Sequence, residues 1–143
     1  MNGKCLCGKV TFAITGTLPN IYQCHCSLCR KLTGSSSDSA MFLSREQFSW
    51  HSGEQLISSY QTETGFRSDF CQNCGSTVPH LMNNQKQYWI PVGLLEEESD
   101  IKVAAHLFVG SKCQWDVIGD DGVQYEEMPD MATLDKVLQR ESS

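Results

Sequence analysis

The chain has 143 residues, a net charge of −6 and a mean hydropathy slightly below zero, with 40% hydrophobic and 20% charged residues. That is the size of one domain able to bury its own core, expected here as a single domain over residues 1–143, and the balance excludes a disordered chain. The acidic charge argues against a nucleic-acid or membrane-surface partner, and nothing approaches the ~18 uninterrupted apolar residues of a membrane span.

The N-terminal Met1-Asn-Gly-Lys-Cys5 lacks the charged and then apolar segments of a secretion signal, so the expected compartment is the cytoplasm. In that reducing space the eight cysteines read as metal ligands rather than disulfides. The spacings agree, because C-x-C and C-x-x-C pairs are poor geometries for cross-links and good chelates. Residues 3–8, Gly-Lys-Cys-Leu-Cys-Gly, read as an extended C-x-C knuckle bounded by glycines that supply positive φ. Two sulfurs on a tetrahedral zinc must sit about 3.8 Å apart, as follows from Zn–S bonds of about 2.3 Å. Val10, Phe12 and Ile14 then alternate inward against Lys9, Thr11 and Thr15, a half-buried strand that Gly16 ends.

After the Leu18-Pro19-Asn20 turn, a short strand from Ile21 to Cys24 delivers the second cluster, Cys24-His-Cys-Ser-Leu-Cys29. Ser27 is the expected cap of a helical turn through Leu32 that Gly34 stops, followed by a polar loop Ser35–Asp38. Further short strands are expected at Ala40–Leu43, Phe48–Trp50, Leu56–Tyr60 and Phe66–Phe70, before a third knuckle, Cys71-Gln-Asn-Cys74-Gly75. Thr77–Met82, Tyr88–Val92 and Lys102–Phe108 complete a mainly β reading, with polar loops at Asn83–Gln87 and Glu96–Asp100. Asp130, Met131, Leu134 and Val137/Leu138 have the spacing of a short amphipathic helix, before a frayed Glu141-Ser-Ser tail.

Spacing alone does not say which pairs share a metal. The commonest solution joins two knuckles from distant parts of the chain, here Cys5, Cys7, Cys71 and Cys74 around one zinc. Cys24, Cys26 and Cys29 remain, and three protein ligands with an open fourth position are how a zinc that does chemistry is held. Two zinc ions per chain follow, one structural and one catalytic.

Gly3-x-Cys5-x-Cys7-Gly8, Cys24-His25-Cys26-x-x-Cys29-Arg30 with Gly34, Phe70-Cys71-x-x-Cys74-Gly75, and His106-x-Phe108 with Ser111-Lys112-x-x-Trp115 resemble the glutathione-dependent formaldehyde-activating enzymes, the GFA/CENP-V family. The resemblance runs from about Gly3 to Pro129. It implies a β-tent fold of small antiparallel sheets with short helices, the division of thiols given above, and a carbon–sulfur lyase that interconverts S-hydroxymethylglutathione with glutathione and formaldehyde. Glutathione or a similar small thiol is then the implied partner.

Cys113 departs from the family pattern. Reaching the second zinc, it would close the site and leave a non-catalytic zinc module or thiol carrier; the blander expectation is a buried small hydrophobe. Arg30 and Lys31 are the candidate contacts for a substrate carboxylate, against a duller role of balancing the cluster's charge. His25, between two ligands in an extended chain, should face away from them, and His80 and His106 read as core histidines. Trp50, Trp89 and Trp115 are expected in the core, although one ring could wall the pocket.

Overall fold

The computed structural model describes residues 1–97 and 100–140, so the expected tail at 141–143 and part of the expected acidic loop lie outside the described residues. In chain order the strands are β1 (Asn2–Lys4), β2 (Thr11–Ile14), β3 (Ile21–Cys24), β4 (Asp38–Ser44), β5 (Phe48–Ser52), β6 (Ile57–Gln61), β7 (Arg67–Cys71), β8 (His80–Leu81), β9 (Gln87–Pro91), β10 (Val103–Leu107) and β11 (Val123–Gln124). Two helices accompany them, α1 (Ser27–Thr33) after β3 and α2 (Met131–Leu138) at the end. The mainly β architecture of small sheets and short helices is thus as expected. The chain forms two compact units that interleave in sequence, Met1–Gly16 with Phe42–Ser99, and Thr17–Met41 with Asp100–Ser143.

In the first unit β2 lies between β1 and β5, both antiparallel to it, β6 and β7 form an antiparallel pair, and β8 pairs with β9. Val10, Phe12 and Ile14 are buried at alternate positions, as the sequence pattern requires. Phe12 stacks on Phe48 and meets Trp50 edge-on, and Phe48 stacks in turn on Tyr88 at 4.1 Å between centroids. Gly3 sits in β1 directly opposite Phe12, and a Cβ there would lie 2.2 Å from the Phe12 ring. This glycine is therefore required for space; unlike Gly8, it is not among the positive-φ residues. The Thr77–Met82 strand shrinks to His80–Leu81, because Pro79 has no N–H to give to a ladder.

His80 stacks on Trp89 at 5.1 Å, and its buried Nδ1 has no hydrogen-bond partner among the described residues. Burial holds its pKa below the ordinary 6.5, opposed by Asp69 and helped by Arg67. A histidine whose folded pKa is depressed resists protonation only when folded, so stability present above its unfolded pKa is lost as pH falls toward the folded value. His80→Phe keeps the stack without the titration. Urea midpoints of this variant are expected to fall less from neutral to mildly acidic pH than those of the unchanged chain, and equal slopes would refute the assignment.

In the second unit β3 pairs antiparallel with the first half of β4 and parallel with β10, and β10 pairs in parallel with β11. The Lys102–Phe108 strand ends at Leu107, because Phe108 takes a left-handed φ of 58° and opens a tight turn. α2 begins at Asp130, whose carboxylate accepts from the Thr133 N–H at 2.7 Å, and buries Leu134 and Leu138. Trp115 departs from expectation: it is 69% exposed, while Trp50 and Trp89 are half-buried.

Candidate metal centres

Seven of the eight cysteines gather into two clusters, one in each unit. In the first unit Cys5 to Gly8 makes a tight turn rather than the extended C-x-C expected, closed by the Gly8 N–H on the Cys5 carbonyl at 3.0 Å, with Gly8 at φ 79°. The turn brings the Cys5 and Cys7 sulfurs to 3.6 Å. The Cys71–Gly75 knuckle closes likewise, with the Gly75 N–H on the Cys71 carbonyl at 2.7 Å and a φ of 81° at Gly75. Cys7 and Cys71 Sγ then lie 3.9 Å apart, and all four sulfurs fall within 4.8 Å of one another.

These separations bracket the ~3.8 Å that tetrahedral zinc imposes on thiolates, so this donor set fits zinc. Its surroundings hold two of the thiols, Cys7 and Cys74, below the ordinary cysteine range. The Val10 N–H points at Cys5 Sγ at 3.4 Å, and the Ser76 hydroxyl, which accepts from the Leu6 N–H, lies 3.4 Å from Cys74 Sγ. Ser76 holds the Cys74 thiol down at about 5, the Asn73 side chain lowers Cys7, and burial pushes Cys71 up.

The second cluster is built by a strand running into a helix. Cys24 ends β3. Cys26, rather than the expected Ser27, caps α1: its sulfur accepts from the Cys29 N–H at 3.3 Å. Cys29 returns from the first turn of α1, buried, and Gly34 ends the helix at φ 65°. The three sulfurs lie within 4.8 Å of one another, and no other described Cys, His, Asp or Glu joins them. A hydrogen bond with Cys29 brings Cys24 down to about 6, while that bond and burial drive Cys29 far up. Cys113 stays outside the group and takes instead the Arg30 Nη1 at 3.5 Å. Arg30 is half-buried with its Nε unpartnered among the described residues, and Lys31 is exposed.

Two carboxylates that the sequence did not single out, Asp116 and Asp38, complete this site together with His25 and His106, the latter read from the sequence as a core histidine. His25, 2% exposed, contacts Asp116 Oδ2 through Nδ1 and His106 Nδ1 through Nε2, both at 3.0 Å. His106 Nε2 in turn donates to the Asp121 carbonyl at 3.0 Å. A carbonyl and a carboxylate only accept, so His25 Nδ1 and His106 Nε2 each carry a proton, and the bond between the rings needs one more. Burial pushes the His25 pKa down, Asp116 pulls it up, and His106 adds to the downward push.

Asp38 stands directly opposite Cys24 in the β3–β4 register, buried, where opposed side chains share one face about 5 Å apart. Burial and then the Cys24 charge push its carboxyl up to about 7. Carrying the period of two back from Ala40 would have placed Asp38 on the buried face instead of in a polar loop. Asp116 has no such local signal, since its partner lies 91 residues away.

The model of the family described as glutathione-dependent formaldehyde-activating enzyme matches residues 1–111, a span that holds all seven clustered cysteines. An uncharacterized lyase of Schizosaccharomyces pombe is 26% identical over 137 residues, covering 95% of this chain and 93% of that protein. A crystal structure of a Rhodobacter sphaeroides protein shares the fold, with a TM-score of 0.57 at 23% identity over 73% of this chain and 100% of the other.

Proposed function

The chain belongs to the glutathione-dependent formaldehyde-activating enzyme family, and from that premise we propose that it is a zinc-dependent carbon–sulfur lyase acting on a glutathione-type thiol adduct such as S-hydroxymethylglutathione. The observation that carries this reading is the unequal count of sulfurs, four in one cluster and three in the other. Cys5, Cys7, Cys71 and Cys74 hold a structural ion; Cys24, Cys26 and Cys29 hold the catalytic one and leave a position free for substrate. The engagement of Cys113 by Arg30 supports that openness.

A zinc ion at the triplet supplies a site where a substrate sulfur is stabilised as thiolate at neutral pH. The rest is proton management. Cleavage of an RS–CH2–OH adduct removes the hydroxyl proton as C=O forms, and returns the C–S electron pair to sulfur. Asp38, with a carboxyl near neutrality beside Cys24, holds that proton and returns it to the departing thiol. Arg30 and Lys31, on α1 directly after Cys29, are the contacts assigned to a substrate carboxylate. The cytoplasm, with its reduced thiols, suits both this substrate and a chain whose eight cysteines are all free.

Formaldehyde adds to thiols unaided, so the deciding measurement is a rate. The zinc-loaded chain is expected to speed formation and cleavage of S-hydroxymethylglutathione in proportion to its concentration, above the uncatalysed background. Binding of glutathione with no gain in rate would replace the lyase with a thiol carrier.

A further inference from the structure

The loop after β10 is tied to the knuckle of the triplet at both ends. Asp116 holds His25, the residue between Cys24 and Cys26, at 3.0 Å, and Cys113 takes the guanidinium of Arg30, the residue after Cys29, at 3.5 Å. The loop braces itself, with the Asp116 N–H on the Cys113 carbonyl at 3.1 Å and Lys112 Nζ on the Asp116 carbonyl at 3.0 Å. It lies beyond the segment that the family model matches. Loop and knuckle are more than eighty residues apart in sequence, and neither tie uses a sulfur of the triplet.

We propose that the Lys112–Asp116 loop is a clamp that sets the metal affinity and ligand geometry of the Cys24, Cys26 and Cys29 site, with Asp116 as a positioning residue acting through His25. The inference rests on reading the triplet as a metal site and is independent of the reaction run there. Three sulfurs gathered within 4.8 Å of one another offer a metal one geometry only while the backbone that carries them is held. His25 is what holds it. Its backbone N–H donates to the Leu107 carbonyl at 2.9 Å, and its ring is fixed at both nitrogens, by Asp116 and by His106. A ring held at both nitrogens cannot pivot; without Asp116 it keeps His106 and the backbone of Ser36 but loses its charged anchor, so it can shift and carry Cys24 and Cys26 with it. Partners that orient a metal's ligands from outside the coordination sphere contribute about 10- to 100-fold in affinity.

The test uses the full chain loaded with Co(II), whose thiolate charge-transfer bands report ligand geometry, and competition with a chromophoric chelator to read the two ions separately. Asp116→Ala is expected to weaken one ion by roughly 10- to 100-fold and shift its bands, leaving the other unchanged. Asp116→Asn, whose amide oxygen accepts the same hydrogen bond, is expected to restore most of the loss. In a Cys26→Ser background, which lacks that ion, Asp116→Ala should change nothing further in the metal readout. Unchanged affinity of both ions in Asp116→Ala, parallel weakening of both, loss of the fold, or an Asn variant no better than Ala would each overturn the clamp. No arm measures turnover, so a chain that held both metals but processed no thiol adduct would defeat the lyase and leave the clamp intact.

Discussion

Exhaustive chelation of zinc is expected to abolish the cooperative melt of the first unit. A structural zinc site contributes roughly 10–16 kcal/mol of apparent binding energy, comparable with the ~5–15 kcal/mol net stability of a whole domain. The position of the ligands makes the dependence severe. Cys5 and Cys71 are core residues, packed with buried Val10 and Val78 and against Trp50, Leu56 and Ile57. A metal held there would close the same cluster that the apolar residues build, joining Cys7 to Cys71 across 64 positions of chain. Without it, at least one buried-rim sulfur is already charged at neutral pH, since Cys74 titrates at about 5, and the others have no counter-charge to gather around. Cys71→Ser should reproduce the chelation result. Circular dichroism melts with and without a strong chelator decide the matter: an unchanged cooperative transition after the metal has been shown to be gone would mean that this cluster does not hold the unit.

What the sequence made legible is local. Cysteine spacing, the Val10/Phe12/Ile14 alternation and the Asp130 start of α2 each depend on residues within a turn or two of one another, and each is present in the fold. What it hid is the set of long-range partners. Nothing near Asp116 announces His25, and nothing near His106 announces the same ring 81 residues earlier, because parallel pairing of β10 with β3 is what brings them together. Cys26 was hidden differently. Its sulfur occupies the cap position that composition assigns to Ser27, since the chain is still extended at Cys26, two residues past the end of β3, with the φ and ψ a cap requires. Trp115 shows the limit of hydrophobicity as a guide, because its loop is fixed through Asp116 and Cys113 while the indole is left outside.

Cys26→Ser is expected to remove half of the bound zinc and reduce turnover to the uncatalysed background while leaving the melt of the chain in place. The dual role of Cys26 explains why this substitution separates function from fold. As a cap, its sulfur accepts one N–H, that of Cys29 at 3.3 Å, and serine is among the best residues for that task. As the ligand proposed for it, it would be irreplaceable by a hydroxyl, which is hard, weakly acidic and a poor donor to an ion that soft thiolates select. Cys24 and Cys29 are buried, so their substitution would mix cavity or polar-burial costs into the result; Cys26 is half-exposed and carries little packing. Metal content, melting and rate, measured on one sample, then give a single answer. A variant that keeps both ions and its rate would show that the triplet is not the reacting centre, and one that loses its fold would show that the second ion is structural like the first.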